Sequence, residues 1–141
     1  MSLRVKFFEI NLETRGENSI IDITQKVEEK IEASGTKNGL VNIFVPGSTG
    51  AVTTIEYEPG LLKDLPAALE RIAPSNIYYA HEETWHDGNG KSHVKASIIG
   101  PSLTIPIKDG KLILGTWQQV VFLELDVRPR KRSLIVTILG D

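Results

Sequence analysis

The three histidines of the chain, His81, His86 and His93, all lie in one segment, HEETWHDGNGKSH. Four and then six residues separate them, and the second interval contains two glycines, so the three rings can converge on one point. Imidazole groups bind divalent metals and transfer protons near neutral pH. The pattern therefore predicts a metal or proton-transfer site formed by these histidines. The structural alternative is that each imidazole is a surface or hydrogen-bonded group.

Acidic and amide side chains accompany the histidines in the same segment, namely Glu82, Glu83, Asp87 and Asn89. Carboxylate and imidazole groups are the usual nitrogen and oxygen ligands of divalent ions in proteins. The chain contains no cysteine, which excludes disulfides, thiolate zinc sites and cysteine nucleophiles. The predicted cofactor is a divalent metal ion, zinc or magnesium.

One carboxylate, Glu124, interrupts the apolar strand predicted over residues 117–126. Such a group costs energy unless it is paired, metal-bound or in contact with water. Because side chains alternate along a strand, Gln118 shares a face with Glu124. Two interpretations stay open: Glu124 pairs with an arginine such as Arg130 or Arg132, or it takes part in the site.

Two further segments have the composition of anion-binding sites. The turn Gly47-Ser48-Thr49-Gly50 can hold an anion with backbone amides and hydroxyls. The basic cluster over residues 128–132 can hold a phosphate with the forked donors of arginine. The alternatives are a tight hairpin turn and a charged strand edge.

Length and charge limit the class of protein. A chain of 141 residues fits one domain, and 40% hydrophobic with 24% charged residues is typical of a globular fold. The net charge of −2 gives no global attraction to nucleic acid or to an anionic membrane. No apolar run reaches the roughly 20 residues of a membrane span, and the first residues lack the layout of a signal peptide. We expect a soluble cytoplasmic protein that binds neither.

Short strands predominate in the pattern, with two helices among them. The first helix opens at Asp22, which is followed by Gln25 in the arrangement of a capping box, and ends at Gly35. In a strand predicted from residue 93, His93, Lys95 and Ser97 share one face, and Val94, Ala96 and Ile98 face the core. The predicted strands cover 4–12, 40–45, 51–58, 93–100, 102–107, 111–115, 117–126 and 132–139, and the second helix covers 61–72. The predicted fold is α+β, a mainly antiparallel sheet or sandwich with two helices, in a single domain.

The segment over residues 86–130 resembles the signature region of the YjbQ-like proteins, also called uncharacterised protein family 0047 or secondary thiamine-phosphate synthase enzymes. Its pattern of a serine, alternating aliphatic residues, a glycine and then Gly-Thr-Trp-Gln is present, as is Asp-x-Asn-x-x-x-His before it. The matching residues are Asp87, Asn89, His93, Ser102, Ile105, Ile107, Gly110, Gly115, Thr116, Trp117, Gln118 and Val120. The resemblance extends over nearly the whole chain.

The resemblance implies an α+β fold that assembles as a homotrimer, with a polar, histidine-containing pocket that can hold a metal. The pocket residues that it carries over are His81, Asp87, Asn89, His93, Gln118 and Glu124. Many members have a histidine followed by Thr-Thr or Thr-Ser where this chain reads Gly47-Ser48-Thr49. His86 is the predicted replacement for that missing histidine. The implied activity joins a pyrimidine diphosphate to a thiazole phosphate.

We therefore predict a metal-assisted enzyme that acts on a small phosphorylated substrate. In this interpretation the metal ligands are His81, His86 and His93, the catalytic residues are Asp87, Gln118 and Glu124, and the substrate-binding residues are Ser48, Thr49, Asn89, Lys95 and Arg130. The alternatives are a non-catalytic trimeric protein that binds metal or a metabolite, and a structural role for the histidines in a subunit interface.

Overall fold

Two antiparallel sheets and four helices form the fold in a computed structural model that describes residues 2–141. The first sheet has the strand order β1-β8-β3-β5-β6 and the second the order β2-β7-β4. The strands are β1 (Arg4–Glu13), β2 (Ser19–Asp22), β3 (Gly39–Phe44), β4 (Gly50–Glu56), β5 (Ser102–Lys108), β6 (Lys111–Leu112), β7 (Gln118–Glu124) and β8 (Lys131–Gly140). The helices are α1 (Thr24–Ser34), α2 (Pro59–Ile72), α3 (His81–Thr84) and α4 (Gly90–Ile99).

The main core lies between the two sheets, with α1 packed against it. Inward side chains such as Ile43 and Val136 from the first sheet meet Phe122 from the second, and Val27 and Ile31 of α1 join the same cluster. Strand alternation explains this arrangement, because one side of each strand in the first sheet is apolar. The predicted α+β class with a mainly antiparallel sandwich is therefore confirmed.

Strand β7 is buried on both faces and joins the main core to a second, smaller one. Phe122 points into the main core, whereas Leu123 points into a cluster with Leu69 of α2 and Ala96 of α4. A strand covered on both sides reads as a continuous apolar run, which is the pattern observed at 120–123. The two cores therefore hold the C-terminal end of β7 in place, and they fix the position at which the following residues begin.

The two predicted helices are present. Helix α1 ends at Gly35, which has the left-handed φ of 73° that a glycine adopts at little cost. It begins at Thr24 rather than Asp22, and the Asp22 carboxylate accepts a hydrogen bond from the Thr24 amide. Helix α2 begins at Pro59, with the Glu58 side chain accepting from the first free amides.

The strand predicted from residue 93 is wrong, because residues 90–99 form α4. Val94, Ala96 and Ile98 fit a period of two, but the same short segment also fits a helix, and only the tertiary contacts decide between them. Ala96 is buried, whereas Val94 and Ile98 are 39% and 54% exposed. Lys95, predicted on an open face beside His93, is 2% exposed.

Two smaller predictions also change. The strand predicted over 111–115 is only the two residues of β6. The histidine segment contains the short helix α3 in addition to α4, so the fold has four helices within residues 2–141 instead of two. Across the same residues, none of the helices combines the length and apolar character that a membrane crossing requires.

Candidate functional site

A polar cleft of about 250 Å³ lies where α3, α4, the β3–β4 turn and the segment after β7 meet. We call it the histidine cleft. It is lined by Ser48, Thr49, His81, Trp85, Asp87, Asn89, His93, Asp126 and Arg130. Residues that are far apart in the sequence therefore share one small volume, and it contains both acidic and basic groups.

Two histidines and an aspartate form one wall of the histidine cleft. His81 Nε2 lies 3.2 Å from Asp87 Oδ1. The rings of His81 and His93 have their centroids 4.4 Å apart and are tilted by 44°. One donor atom from each of His81, Glu82 and Asp87 lies within 4.8 Å of the other two. This spacing lets one small cation contact all three groups.

The backbone between α3 and α4 brings Asp87 back toward His81. His86 and Gly88 have left-handed φ angles of 56° and 73°, which reverse the chain around Asp87. At the start of α4, a Cβ on Gly90 would lie 2.6 Å from the Tyr79 Cβ, so only glycine permits this close approach. The Asp-Gly-Asn-Gly sequence thus fixes both the turn and the position of the helix that carries His93.

Asn89, which is buried, connects the histidine wall to a second acidic group. One terminal atom of its carboxamide lies 2.6 Å from Asp87 Oδ1 and 3.0 Å from His81 Nε2, and the other lies 3.4 Å from Asp126 Oδ1. A nitrogen in the first position donates to Asp87 and His81. An oxygen there faces the Asp87 carboxylate and requires a cation or a proton between them. The orientation of the Asn89 amide therefore depends on whether a cation or a proton lies between it and the Asp87 carboxylate.

Asp126 and Arg130 form the opposite wall. The fully buried Asp126 accepts from Arg130 Nε at 2.9 Å and from Nη2 at 2.6 Å. Burial raises the pKa of Asp126, but hydrogen bonds from Arg130 and the Val127 amide outweigh it and hold that pKa below its usual value. The aspartate is therefore ionised at neutral pH. Within residues 2–141, Arg130 Nη1 has no protein partner, and this half-exposed side chain can bind an anion.

A second ion pair lies directly behind this wall. Glu124 is 0% exposed and accepts from Arg132 Nε at 2.8 Å and Nη2 at 2.5 Å. Thr49 Oγ1 accepts from Arg132 Nη2 at 2.9 Å and lies 3.1 Å from Asp126 Oδ2, to which it donates. The pairing interpretation of Glu124 is therefore confirmed, with Arg132 as the partner. Thr49 links the two ion pairs, so its hydroxyl is already engaged.

Several residues predicted from the sequence do not line the histidine cleft. Glu124 is enclosed by its ion pair, and Gln118 lies six positions away along β7, about 20 Å at the rise of a strand. The exposed Gln118 side chain donates to Thr54 Oγ1 instead. Lys95 is paired with Glu70. His86 is absent from both the cleft lining and the donor cluster, so the geometry does not support it as the replacement for the missing histidine.

Three residues of the site were missed. The sequence identifies Glu82 as an acidic neighbour of His81 but not as a donor beside it, because no element was predicted over the four residues that form α3. Trp85 is a largely exposed indole at the edge of the cleft. Asp126 is the last residue of the strand predicted over residues 117–126. The available signal was its spacing of four from Arg130, in a chain that turns between β7 and β8.

Comparison with known proteins places the chain in a group of relatives of similar length. A relative from Archaeoglobus fulgidus, named "UPF0047 protein", is 40% identical over 93% of this chain and 99% of its own. Another from Methanothermobacter thermautotrophicus is 39% identical over 94% of this chain and 90% of its own.

Solved structures agree with this relationship. The crystal structure of a protein of unknown function from Sulfolobus solfataricus superposes with a TM-score of 0.92 at 33% identity, over 99% of this chain and 100% of that one. A hypothetical protein from Aeropyrum pernix gives 0.88 at 33% identity, over 96% and 99%. The family model "UPF0047 protein YjbQ-like" matches residues 8–141. The chain therefore belongs to the YjbQ-like UPF0047 family.

Proposed function

We propose that the chain is a metal-assisted enzyme that acts on a small phosphorylated substrate in the histidine cleft. The observation that supports this proposal most directly is the placement of the two walls. A cluster of nitrogen and oxygen donors suited to a divalent cation lies across about 250 Å³ from an arginine suited to an anion. Many enzymes use a metal ion together with a cationic side chain to bind phosphoryl and pyrophosphoryl groups and to stabilise their negative charge.

The donor set fits a divalent metal ion. His81, Glu82 and Asp87 supply imidazole and carboxylate groups without sulfur, which suits zinc or magnesium. Glu82 Oε1 is buried and accepts no hydrogen bond from residues 2–141, so a cation would supply the missing partner. We propose His93, whose ring centroid lies 4.4 Å from that of His81, as a further ligand from outside this three-residue cluster. When bound, the ion supplies positive charge that stabilises negative charge on phosphate oxygens.

The chain's own groups provide the rest of the site. Asp126 holds the Arg130 guanidinium at two donors, which leaves Nη1 to bind a phosphate oxygen. Ser48 adds a hydroxyl at the same wall, whereas Thr49 positions Asp126. Asn89 orients Asp87, the group available to hold or move a proton or to stabilise developing positive charge.

A finer proposal follows from the family resemblance, namely thiamine-phosphate-synthase-like activity. In that reaction the carbon–oxygen bond of a pyrimidine methyl diphosphate breaks and pyrophosphate leaves with the electron pair. The nitrogen of a thiazole phosphate then forms the new bond to the cationic carbon. Arg130 would neutralise the leaving pyrophosphate, and Asp87 would stabilise the cation.

We also propose that the chain works in the cytoplasm as a homotrimer. An apolar area on the outer face of the first sheet supports self-association. Val5, Leu139 and Leu40 lie side by side there on three paired strands, and Phe7 and Phe44 are exposed on the same face. Light scattering on the purified chain measures the number of copies directly.

Replacing Arg130 with glutamine tests the anion-binding half of the proposal. We expect the affinity for inorganic phosphate to fall at least about tenfold, because a charge-assisted hydrogen bond contributes about 1.5–3 kcal/mol. Isothermal titration calorimetry measures this change. Arg128→Gln is the matched control, since it removes the same charge two residues away from an exposed side chain. Equal losses in the two variants would show that Arg130 contributes only general electrostatic attraction.

A further inference from the structure

We infer that Lys95 is a positioning residue, which fixes helix α4 so that His93 faces the histidine cleft. The inference rests on the proposed function only in that it treats His93 as a site residue. Lys95 lies two positions after His93, which places the two side chains about 200° apart around the helix. His93 therefore lines the cleft from the front of α4, and Lys95 tethers the same helix from behind.

The tether is an ionic network that joins three parts of the fold. Lys95 Nζ lies 3.2 Å from Glu70 Oε1 on α2 and 3.9 Å from Glu17 Oε1 in the β1–β2 loop. Lys91 Nζ contacts Glu17 Oε1 at 2.8 Å and Ser75 Oγ at 2.8 Å. Ser75 in turn donates to both carboxylate oxygens of Glu70. The two lysines and two glutamates balance, so the network has no surplus charge with which to bind a substrate.

Glu70, one of the two glutamates of the network, is held in its charged form. Hydrogen bonds from the Ser75 amide and hydroxyl, with further help from Lys95, lower the pKa of Glu70 to about 2. Lys95 therefore faces a carboxylate that is ionised at neutral pH. A buried ammonium group requires such a partner, because its desolvation is otherwise unfavourable.

The apolar contacts of α4 are confined to its C-terminal half. The apolar side chains of the helix that pack against the smaller core are the buried Ala96, which is small, and the partly buried Ile99. The larger Val94 and Ile98 point outward and are substantially exposed. Two apolar contacts at one end leave the rest of the helix without apolar anchoring, so directional interactions also determine its rotation about its axis. The contacts of Lys95 with Glu70 and Glu17 supply them.

Two substitutions test this role, Lys95→Met and the milder Glu70→Gln, which alters a half-exposed side chain. The first readout is the imidazole ¹H–¹³C NMR spectrum of the metal-free protein, which contains only the three histidines. We expect the His93 resonance to move in both variants and the His86 resonance to stay, because His86 lies outside α4. The second readout is the affinity for Zn²⁺, which we expect to fall about tenfold, in the range for residues that orient metal ligands.

Lys6→Met is the control for a loss of stability alone. Lys6 is also a partly buried lysine, and it donates to the Ser34 carbonyl far from α4. It should lower the melting temperature without changing the His93 resonance or the Zn²⁺ affinity. If Lys95→Met does not fold, Glu70→Gln decides the question. An unmoved His93 resonance in a folded variant would overturn the inference, whereas a moved resonance in a protein that binds no Zn²⁺ would refute the proposed function alone.

Discussion

Replacing Arg132 with methionine is expected to lower the free energy of unfolding by about 3–5 kcal/mol, the cost of breaking a buried ion pair. The change leaves Glu124, which is fully buried, without the two guanidinium donors that now neutralise it. The remaining bonds to the carboxylate, from the Thr14 hydroxyl and the Asp126 amide, do not supply positive charge. Urea unfolding followed by circular dichroism measures the loss.

Two companion variants identify the cause. Lys131→Met removes a neighbouring cation whose partner, Glu13, is 4.0 Å away, with both side chains exposed, and it should cost less than about 1 kcal/mol. The double variant Glu124→Gln with Arg132→Met should recover much of the lost stability, because no buried charge stays unpaired. A loss for Arg132→Met as small as that for Lys131→Met would contradict the structural account of Glu124.

Replacing His81 with alanine is expected to weaken binding of a divalent ion at least about 100-fold. His81 is the member of the donor cluster that contacts Asp87, lies beside His93 and shares the amide of Asn89. Loss of a direct ligand should exceed the 10–100-fold effect of residues that merely orient ligands. Equilibrium dialysis against Zn²⁺ with elemental analysis, on protein without a histidine tag, measures the affinity.

His86→Ala is the matched control, because it removes an imidazole from the same segment but outside the cleft lining. Its Zn²⁺ affinity should equal that of the unmodified protein. The opposite ranking, with His86→Ala the weaker binder, would restore the sequence-based assignment of His86 as a ligand. Tight Zn²⁺ binding without turnover of any phosphorylated compound would favour the non-catalytic alternative.

The spacing of apolar residues predicted the fold well for elements with one or two fully buried faces. The run at 120–123 and the positions of Val27 and Ile31 carry a clear signal because burial selects apolar side chains at fixed intervals. Residues 93–99 gave the wrong element because a ten-residue helix with only Ala96 buried and Ile99 partly buried hardly differs in apolar pattern from a strand. That error placed Lys95 on the face of His93, when a helix turns it to the opposite side.

The site was only partly predictable, for reasons of distance and partner choice. His81, Asp87, Asn89 and His93 were found because they lie close together in the sequence and the turn at Gly88 brings them together. Which arginine would pair with Glu124 could not be read from the sequence, since Arg130 and Arg132 both follow it. Asp126 was missed because its role follows from its pairing with Arg130, which leaves Arg132 as the partner of Glu124.

The most direct test of the central proposal is the affinity of the unmodified protein for inorganic phosphate, measured calorimetrically with metal-free protein and with protein that carries one equivalent of Zn²⁺. A cation and an anion that share a cleft of about 250 Å³ attract each other, so each should raise the other's affinity by the same factor. We predict phosphate binding that is at least several-fold tighter in the metal-loaded protein and that depends on Arg130. Phosphate binding that is absent, or equal with and without the ion, would contradict a shared site for a metal and a phosphorylated substrate.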